Sequence, residues 1–170
     1  MALPDVLVVG KEGNNRFNVF HAEFLGCDDD LERGLEQYDS TGWERICWGR
    51  DLIGQARALH EKGRFSEVND SGLWKDVDLS LSFVGHTIVQ RPVIIKNVVY
   101  LDTGAYRAYR SKPSTGQDAL TICRPKTMDM WQVFVDGTVV RVPKGKSGEA
   151  STYAESAREG MPSTNVTASA

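Results

Sequence analysis

Short apolar runs broken by turn residues dominate residues 6–20 and 79–142, and a stretch with helical spacing lies between them. Val6-Leu7-Val8-Val9 is continuously apolar; Lys11-Glu12-Gly13-Asn14-Asn15 follows, and Phe17, Val19 and Phe20 resume the apolar pattern. Gly and Asn tolerate positive φ, so the middle segment has the chemistry of a turn. The pattern predicts a β-hairpin whose second strand delivers His21 at its far end. Cys27-Asp28-Asp29-Asp30 reads as a helix start, because Asp suits the N-cap and acidic groups favour the positive end of the helix dipole. The helix is expected from about Leu31 to Tyr38. A second helix is expected from Ser40-Thr41, with Glu44 placed three residues after Thr41 as in a capping box. Trp43, Ile46, Cys47, Ile53, Ala56 and Leu59 follow helical spacing, with Gly49 and Gly54 as the points where it breaks and Lys62-Gly63-Arg64 as its end.

Beyond a polar segment from Phe65 to Lys75, strand patterns return. Leu79 to Val84 runs into Gly85-His86, and Val93 to Ile95 pairs with Val98 to Leu101 across Lys96-Asn97. Tyr106 to Gln117 is basic and rich in Ser, Pro and Gly, and reads as a loop. Ala119 to Cys123 is a further strand, and Trp131 to Val135 and Thr138 to Val142 flank Asp136-Gly137, the clearest two-residue hairpin signal in the chain. From Lys144 onward Ser, Gly, Thr, Ala and charges dominate, a composition that buries too little apolar surface to offset its ordering entropy. The expected organisation is one domain over residues 1–143 and a mobile tail over 144–170. Two strands, two inserted helices and about six further strands define an α+β fold with a mainly antiparallel or mixed sheet.

Composition narrows the function. At 170 residues the chain is long enough for one domain with a real core. Its 20 Lys+Arg against 23 Asp+Glu give a net charge of −3, which argues against nucleic acid as an obligatory partner. No apolar run has the length to cross a bilayer, so no membrane partner is expected. Met1-Ala2-Leu3-Pro4-Asp5 lacks the basic and apolar pattern of a secretion signal, and Asn165-Val166-Thr167 then matches a glycosylation acceptor by chance. Cys27, Cys47 and Cys123 form no C-x-x-C pair, so neither a zinc ribbon nor a disulfide framework is expected and a reducing cytoplasm fits best.

The candidate chemistry sits where apolar runs end. His21 lies in Val19-Phe20-His21-Ala22-Glu23 and His86 in Phe83-Val84-Gly85-His86-Thr87. A buried strand fixes the position of a residue at its end while the adjoining loop stays open to a ligand. Two further segments, Trp48-Gly49-Arg50-Asp51 and Tyr100-Leu101-Asp102-Thr103-Gly104-Ala105, complete an ordered set. From about Leu3 to Ala105 this set resembles the C-terminal half of the serine/threonine protein phosphatases of the calcineurin-like metallophosphoesterase superfamily, above all the small bacterial and bacteriophage-lambda type. The resemblance implies that His21 and His86 match the two imidazole ligands of the second metal of a two-metal site, that Arg50 matches an arginine contacting substrate phosphate, and that the Asp-Thr-Gly turn is architectural. The chemistry is consistent. Neutral imidazole suits manganese, iron or zinc, and the guanidinium fork binds two phosphate oxygens at once.

The resemblance stops short of a complete site. The family's Asp-x-His-Gly, Gly-Asp-x-x-Asp-Arg and Gly-Asn-His-Asp/Glu motifs, which supply the first metal's ligands, the bridging aspartate and the catalytic histidine, have no match here. The expected function is therefore a catalytically incomplete phosphatase-derived domain that acts as a protein-binding module, a phage-type inhibitor or regulator, with no activity by itself and no cofactor expected. The alternative is one part of a split metal-dependent phosphoesterase, in which manganese (or iron or zinc) at His21 and His86 belongs to a site completed by another polypeptide. Glu23 adds a carboxylate near His21 but matches no family ligand, and His60, near a helix end, is read as interacting with the helix dipole. The four tryptophans are read as core or edge aromatics. Tyr106, Arg107, Tyr109, Arg110 and Lys112 form a candidate partner-contact loop. Without the family's other half the inner sheet face is expected to be bare, forfeiting on the order of tens of kcal/mol at roughly 25 cal/mol per Å². A protein partner or a homodimer through that face is the expected consequence.

Overall fold

A computed structural model describes residues 6–11, 15–24, 26–34, 38–62, 79–110 and 118–143. Their order is β1 (Val6–Val9), β2 (Phe17–Phe20), α1 (Asp28–Glu32), α2 (Ser40–Trp48), α3 (Asp51–Glu61), β3 (Ser82–Val84), β4 (Val93–Ile95), β5 (Val98–Tyr100), α4 (Ala105–Arg110), β6 (Ala119–Arg124), β7 (Asp129–Phe134) and β8 (Val139–Val142). The class is α+β: a five-stranded mixed sheet in the order β1-β2-β3-β5-β4 and a three-stranded antiparallel sheet β6-β7-β8. The predicted hairpins β1/β2, β4/β5 and β7/β8 are all present as antiparallel pairs. At the centre, β2, β3 and β5 run parallel, with Phe20 opposite Val84 and Val84 opposite Tyr100. The expected tail, the polar segment from Phe65 to Lys75 and Lys112 lie outside the described residues.

Several helices differ from the sequence expectation. Among the described residues three helices, not two, lie between the first hairpin and β3. The first begins at Asp28 rather than Leu31, because the Asp30 carboxylate accepts the Cys27 backbone N–H at 2.9 Å and closes the first turn there. The N-cap of α2 is Asp39, not Thr41: its carboxylate accepts the Gly42 N–H at 2.9 Å. The long helix divides at Gly49, whose backbone is extended (φ −59°, ψ 141°), and Gly54 lies within α3. A side chain at Gly49 would place its Cβ 2.5 Å from the Arg45 carbonyl oxygen, so the turn between α2 and α3 needs a glycine. The segment read as a loop from Tyr106 opens with a helix, α4. Residues 105–110, Ala-Tyr-Arg-Ala-Tyr-Arg, contain neither Gly nor Pro, and the loop-forming composition starts only after them.

The two faces of the five-stranded sheet follow from alternation along its strands. Phe20, Val84, Tyr100, Val93, Val98 and Ile95 face the helices and pack with Phe24, Ile46, Leu52, Ile53 and Ala56. The opposite row reads Leu7, Val19, Phe83, Val99, Ile94 across the five strands. Phe83 and Val99 are buried against Met130 and Val142 of the second sheet. Leu7 and Ile94, on the two edge strands, remain 49% and 52% exposed. The expected bare inner face is thus corrected at its centre: the three-stranded sheet covers Phe83 and Val99, while among the described residues Leu7, Val19 and Ile94 of the same row stay exposed.

Polar groups tie the layers together. The Thr103 hydroxyl donates to the Ala119 carbonyl at 2.7 Å, and Gly104 forms a parallel bridge with Ala119. Gly104 has φ +87°, and a Cβ there would lie 2.5 Å from Asp118 Oδ1, so the turn that links the two sheets needs a glycine on both counts. Arg16, buried beneath the first hairpin, pairs with Asp28 at 3.1 Å and Glu32 at 2.6 Å, fixing α1 against β2. The Asp28 carboxylate in turn accepts the Ser80 N–H at 3.0 Å and the Asn18 amide at 3.2 Å, which sets the approach to β3. Cys27, Cys47 and Cys123 are free thiols. Among the described residues no helix is long and apolar enough to cross a membrane.

Candidate functional site

Parallel pairing of β2 with β3 puts the residues after Phe20 and Val84 side by side. His21 and His86 therefore meet at the carboxyl end of the sheet's central strands, 5.0 Å between ring centroids, and the Gly85 N–H donates to the His21 carbonyl at 3.1 Å. The carboxyl ends of parallel strands are where open α/β sheets present ligand-binding residues. His86 holds φ +60°, a conformation a non-glycine residue adopts at a cost, and such residues concentrate at functional sites.

Arg50 joins the pair from the α2–α3 turn. Its Nη2 donates to His86 Nε2 at 2.8 Å. A guanidinium has only donors, so Nε2 is the acceptor and the proton of the neutral ring sits on Nδ1. Trp48 completes the cluster, its ring centroid 4.9 Å from that of His86 and 6.2 Å from that of His21, nearly perpendicular to both. It is 61% exposed and so is not a core aromatic; Trp43 and Trp131 are half-buried, and Trp74 lies outside the described residues. The sequence carried one signal for it: Trp48 stands two residues before Arg50 in a segment singled out for another reason.

Glu23 is not a ligand. It is buried, and its carboxylate accepts the N–H groups of Leu52 and Ile53 at 2.9 and 3.0 Å and the Tyr100 hydroxyl at 2.7 Å. It caps α3 from a distant part of the chain, satisfying amides that a helix start leaves without partners. Since Arg50 immediately precedes α3, Glu23 holds the loop of His21 and the turn of Arg50 in one fixed relation. Burial, and then the Glu23 charge, raise the Tyr100 pKa far above the ordinary tyrosine range, so its hydroxyl remains a donor.

Burial lowers the His86 pKa, reinforced by the Arg50 charge and by His21, with Asp102 opposing. Its ordinary value is 6.5. Between that value and the depressed one the unfolded chain binds the proton more readily. The contribution to stability is thus lost as pH falls below 6.5 through this window and regained as pH rises. Arg50→Gln removes one of the depressing charges and is expected to move the His86 midpoint upward. Imidazole carbon and proton shifts followed by NMR across pH 4 to 8 (a range of about four units bracketing the ordinary histidine value) would measure it; an unmoved midpoint would refute the role given to Arg50.

His21 and His86 bring two imidazoles together. Both lie at the carboxyl end of the central strands, and the neutral state of His86 is the one a metal ion needs. Among the described residues, however, no group of three or more His, Cys, Asp or Glu side chains is arranged to hold an ion. The pair therefore supplies two imidazoles and, among the described residues, no coordination shell for manganese, iron or zinc. Binding through His86 Nε2 would also require Arg50 to give up its hydrogen bond.

The candidate partner-contact residues form a group of their own. Tyr106 and Tyr109 on α4 are highly exposed. Arg110 Nε donates to the Tyr106 hydroxyl at 2.8 Å, and its guanidinium lies 5.4 Å from the Tyr106 ring centroid. Arg107 is held to buried Asp118 through Nε at 2.9 Å and Nη2 at 2.5 Å, so it anchors α4 to the start of β6. The side chain of His60 lies outside what the structure describes.

Compared with known proteins, the chain matches no family model, no curated protein and no solved structure.

Proposed function

We propose that this chain is the histidine-bearing part of a metal-dependent phosphoesterase of the calcineurin-like phosphoprotein phosphatase type, inactive alone and completing a two-metal site with another polypeptide. The observation that carries this reading is the meeting of His21, His86 and Arg50, drawn from three separate segments, at the carboxyl end of the central strands. In such a site His21 and His86 would hold one ion, while the carboxylates and the catalytic histidine would come from the partner. A metal ion held by His21 and His86 together with the partner's ligands would supply Lewis-acid chemistry at phosphate. The work of this chain's own residues is distinct. Arg50 presents parallel donors to phosphate oxygens, and Glu23 keeps Arg50 in register with the histidines.

The test is complementation. The full chain is mixed with a polypeptide carrying the three missing motifs, and p-nitrophenyl phosphate hydrolysis is followed with added manganese. Activity is expected only from the mixture and is expected to fall at least about a hundredfold with His21→Ala or His86→Ala, the loss typical of removing a group that sets metal affinity. Equal activity from the double histidine variant, or none from the wild-type mixture, would overturn the proposal.

A second reading, a phosphatase-derived binding module, is favoured by the open apolar flanks. Leu7, Val19 and Ile94 lie in one row on the exposed margins of the inner face. A stable complex formed without metal, and unaffected by the histidine variants, would favour this reading.

A further inference from the structure

The cluster at the end of the central strands offers an apolar surface that neither imidazole ligands nor a phosphate-binding arginine requires. Trp48 ends α2, and the extended backbone of Gly49 sends the chain directly into Arg50. The indole and the guanidinium therefore flank the same ring: Trp48 lies 4.9 Å from His86 between ring centroids, and Arg50 Nη2 is 2.8 Å from His86 Nε2. Trp48 is 61% exposed, so among the described residues it stands open to solvent beside the imidazoles. A cation stacked on it would meet the Arg50 charge, whereas an anion would be attracted. A ligand that satisfies both neighbours carries a phosphate for the guanidinium and a flat apolar group for the indole. An aryl phosphate has that shape, its ring joined to phosphorus through one ester oxygen. A phosphoserine-type ester places only an aliphatic carbon there. Tryptophan is also a stiff side chain, so it loses little freedom when a ring packs against it.

We infer that Trp48 is a specificity-determining residue that favours aryl phosphates, such as a phosphotyrosine side chain, over aliphatic phosphates at the site formed by Arg50 and the histidines. This inference rests on the phosphoesterase reading and names its substrate class.

The experiment uses the full chain, with the imidazole and indole NMR signals followed during titration. The probes are inorganic phosphate, phosphoserine, phenyl phosphate and phenol, with a phosphotyrosine peptide as a further arm. Phenyl phosphate is expected to bind about three- to tenfold more tightly than inorganic phosphate or phosphoserine, the range an aromatic pair supplies. Phenol alone is expected to bind more weakly than phenyl phosphate. Trp48→Ala is expected to abolish the preference of phenyl phosphate over inorganic phosphate, and Trp48→Phe to restore part of it. A peptide that binds more tightly than phenyl phosphate would point to a protein substrate; equal affinity would point to small aryl phosphates. Equal binding of phenyl phosphate and inorganic phosphate to the wild-type chain, or a preference that survives Trp48→Ala, would overturn the inference alone. No response of His21 and His86 to any phosphate would overturn the phosphoesterase reading with it.

Discussion

Glu23→Ala is expected to cost about 3–5 kcal/mol of folding stability, more than an ordinary surface carboxylate by an order of magnitude. The side chain is 2% exposed and accepts three hydrogen bonds, from Leu52 N–H, Ile53 N–H and Tyr100 Oη–H. Removing it strands all three donors in the interior, and a buried donor without an acceptor costs about 1–3 kcal/mol. Tyr100→Phe removes only one of the donors and should cost about 1–1.5 kcal/mol. Because the two residues share a bond, the double variant should be more stable than the sum of the singles implies. Urea unfolding of the four proteins, compared at constant slope, measures each term. A loss below about 1 kcal/mol for Glu23→Ala would show that the N-terminus of α3 does not depend on this carboxylate. The raised Tyr100 pKa adds a pH signature. A group whose folded pKa lies above its ordinary value of 10.0 stabilises the fold below that pH and loses the contribution as pH rises beyond it.

The same substitution reaches the site. Glu23 fixes the start of α3, and α3 follows Arg50 directly. Where the variant still folds, Arg50 should lose its fixed placement against His86, and the His86 midpoint should rise as it does in Arg50→Gln. A carboxylate that only supported the core would leave that midpoint unchanged.

Phe83→Ala should cost a further large amount, about 3–5 kcal/mol, through the cavity left between the two sheets. Phe83 is 3% exposed and meets Phe17 edge-on at 5.6 Å between centroids. Together with Val99 it forms the five-stranded sheet's contribution to the cluster that contains Met130 and Val142. Loss of that ring should loosen the three-stranded sheet selectively. Amide hydrogen exchange in β6, β7 and β8 should accelerate more than exchange in β4, which packs on the helix side. Val84→Ala, on the opposite face of the same strand, should show the reverse pattern. Uniform acceleration in both variants would mean that the two layers unfold as one unit.

Local chemistry was legible wherever a few neighbouring residues decide the outcome. Asp136-Gly137 makes its turn because Gly137 takes φ +85° and Asp136 accepts the Thr138 N–H at 2.8 Å, both set by adjacent residues. The β4/β5 turn is local too, with Lys96 at φ +54° before Asn97. The α2 cap was missed by a small margin, since Asp39 and Thr41 both have capping side chains and only geometry selects between them. Glu23 could not be read correctly from its surroundings. Two residues after a histidine, it resembles a ligand, yet its three partners lie about thirty and seventy-seven residues away along the chain.

The sequence by itself determined the strand-forming runs, the hairpin turns, the α+β class and the placement of His21 and His86 at strand ends. These depend on alternation, turn residues and other interactions between near neighbours. Only the tertiary structure decided that the two histidines meet, because their contact depends on parallel pairing of β2 and β3 across segments that the chain order does not join directly. It also decided that Trp48 stands open beside them, that Glu23 serves the helix and not an ion, and that the second sheet covers the centre of the inner face. Each of these outcomes depends on which distant surface arrives to bury or satisfy a group, and local periodicity carries no record of that.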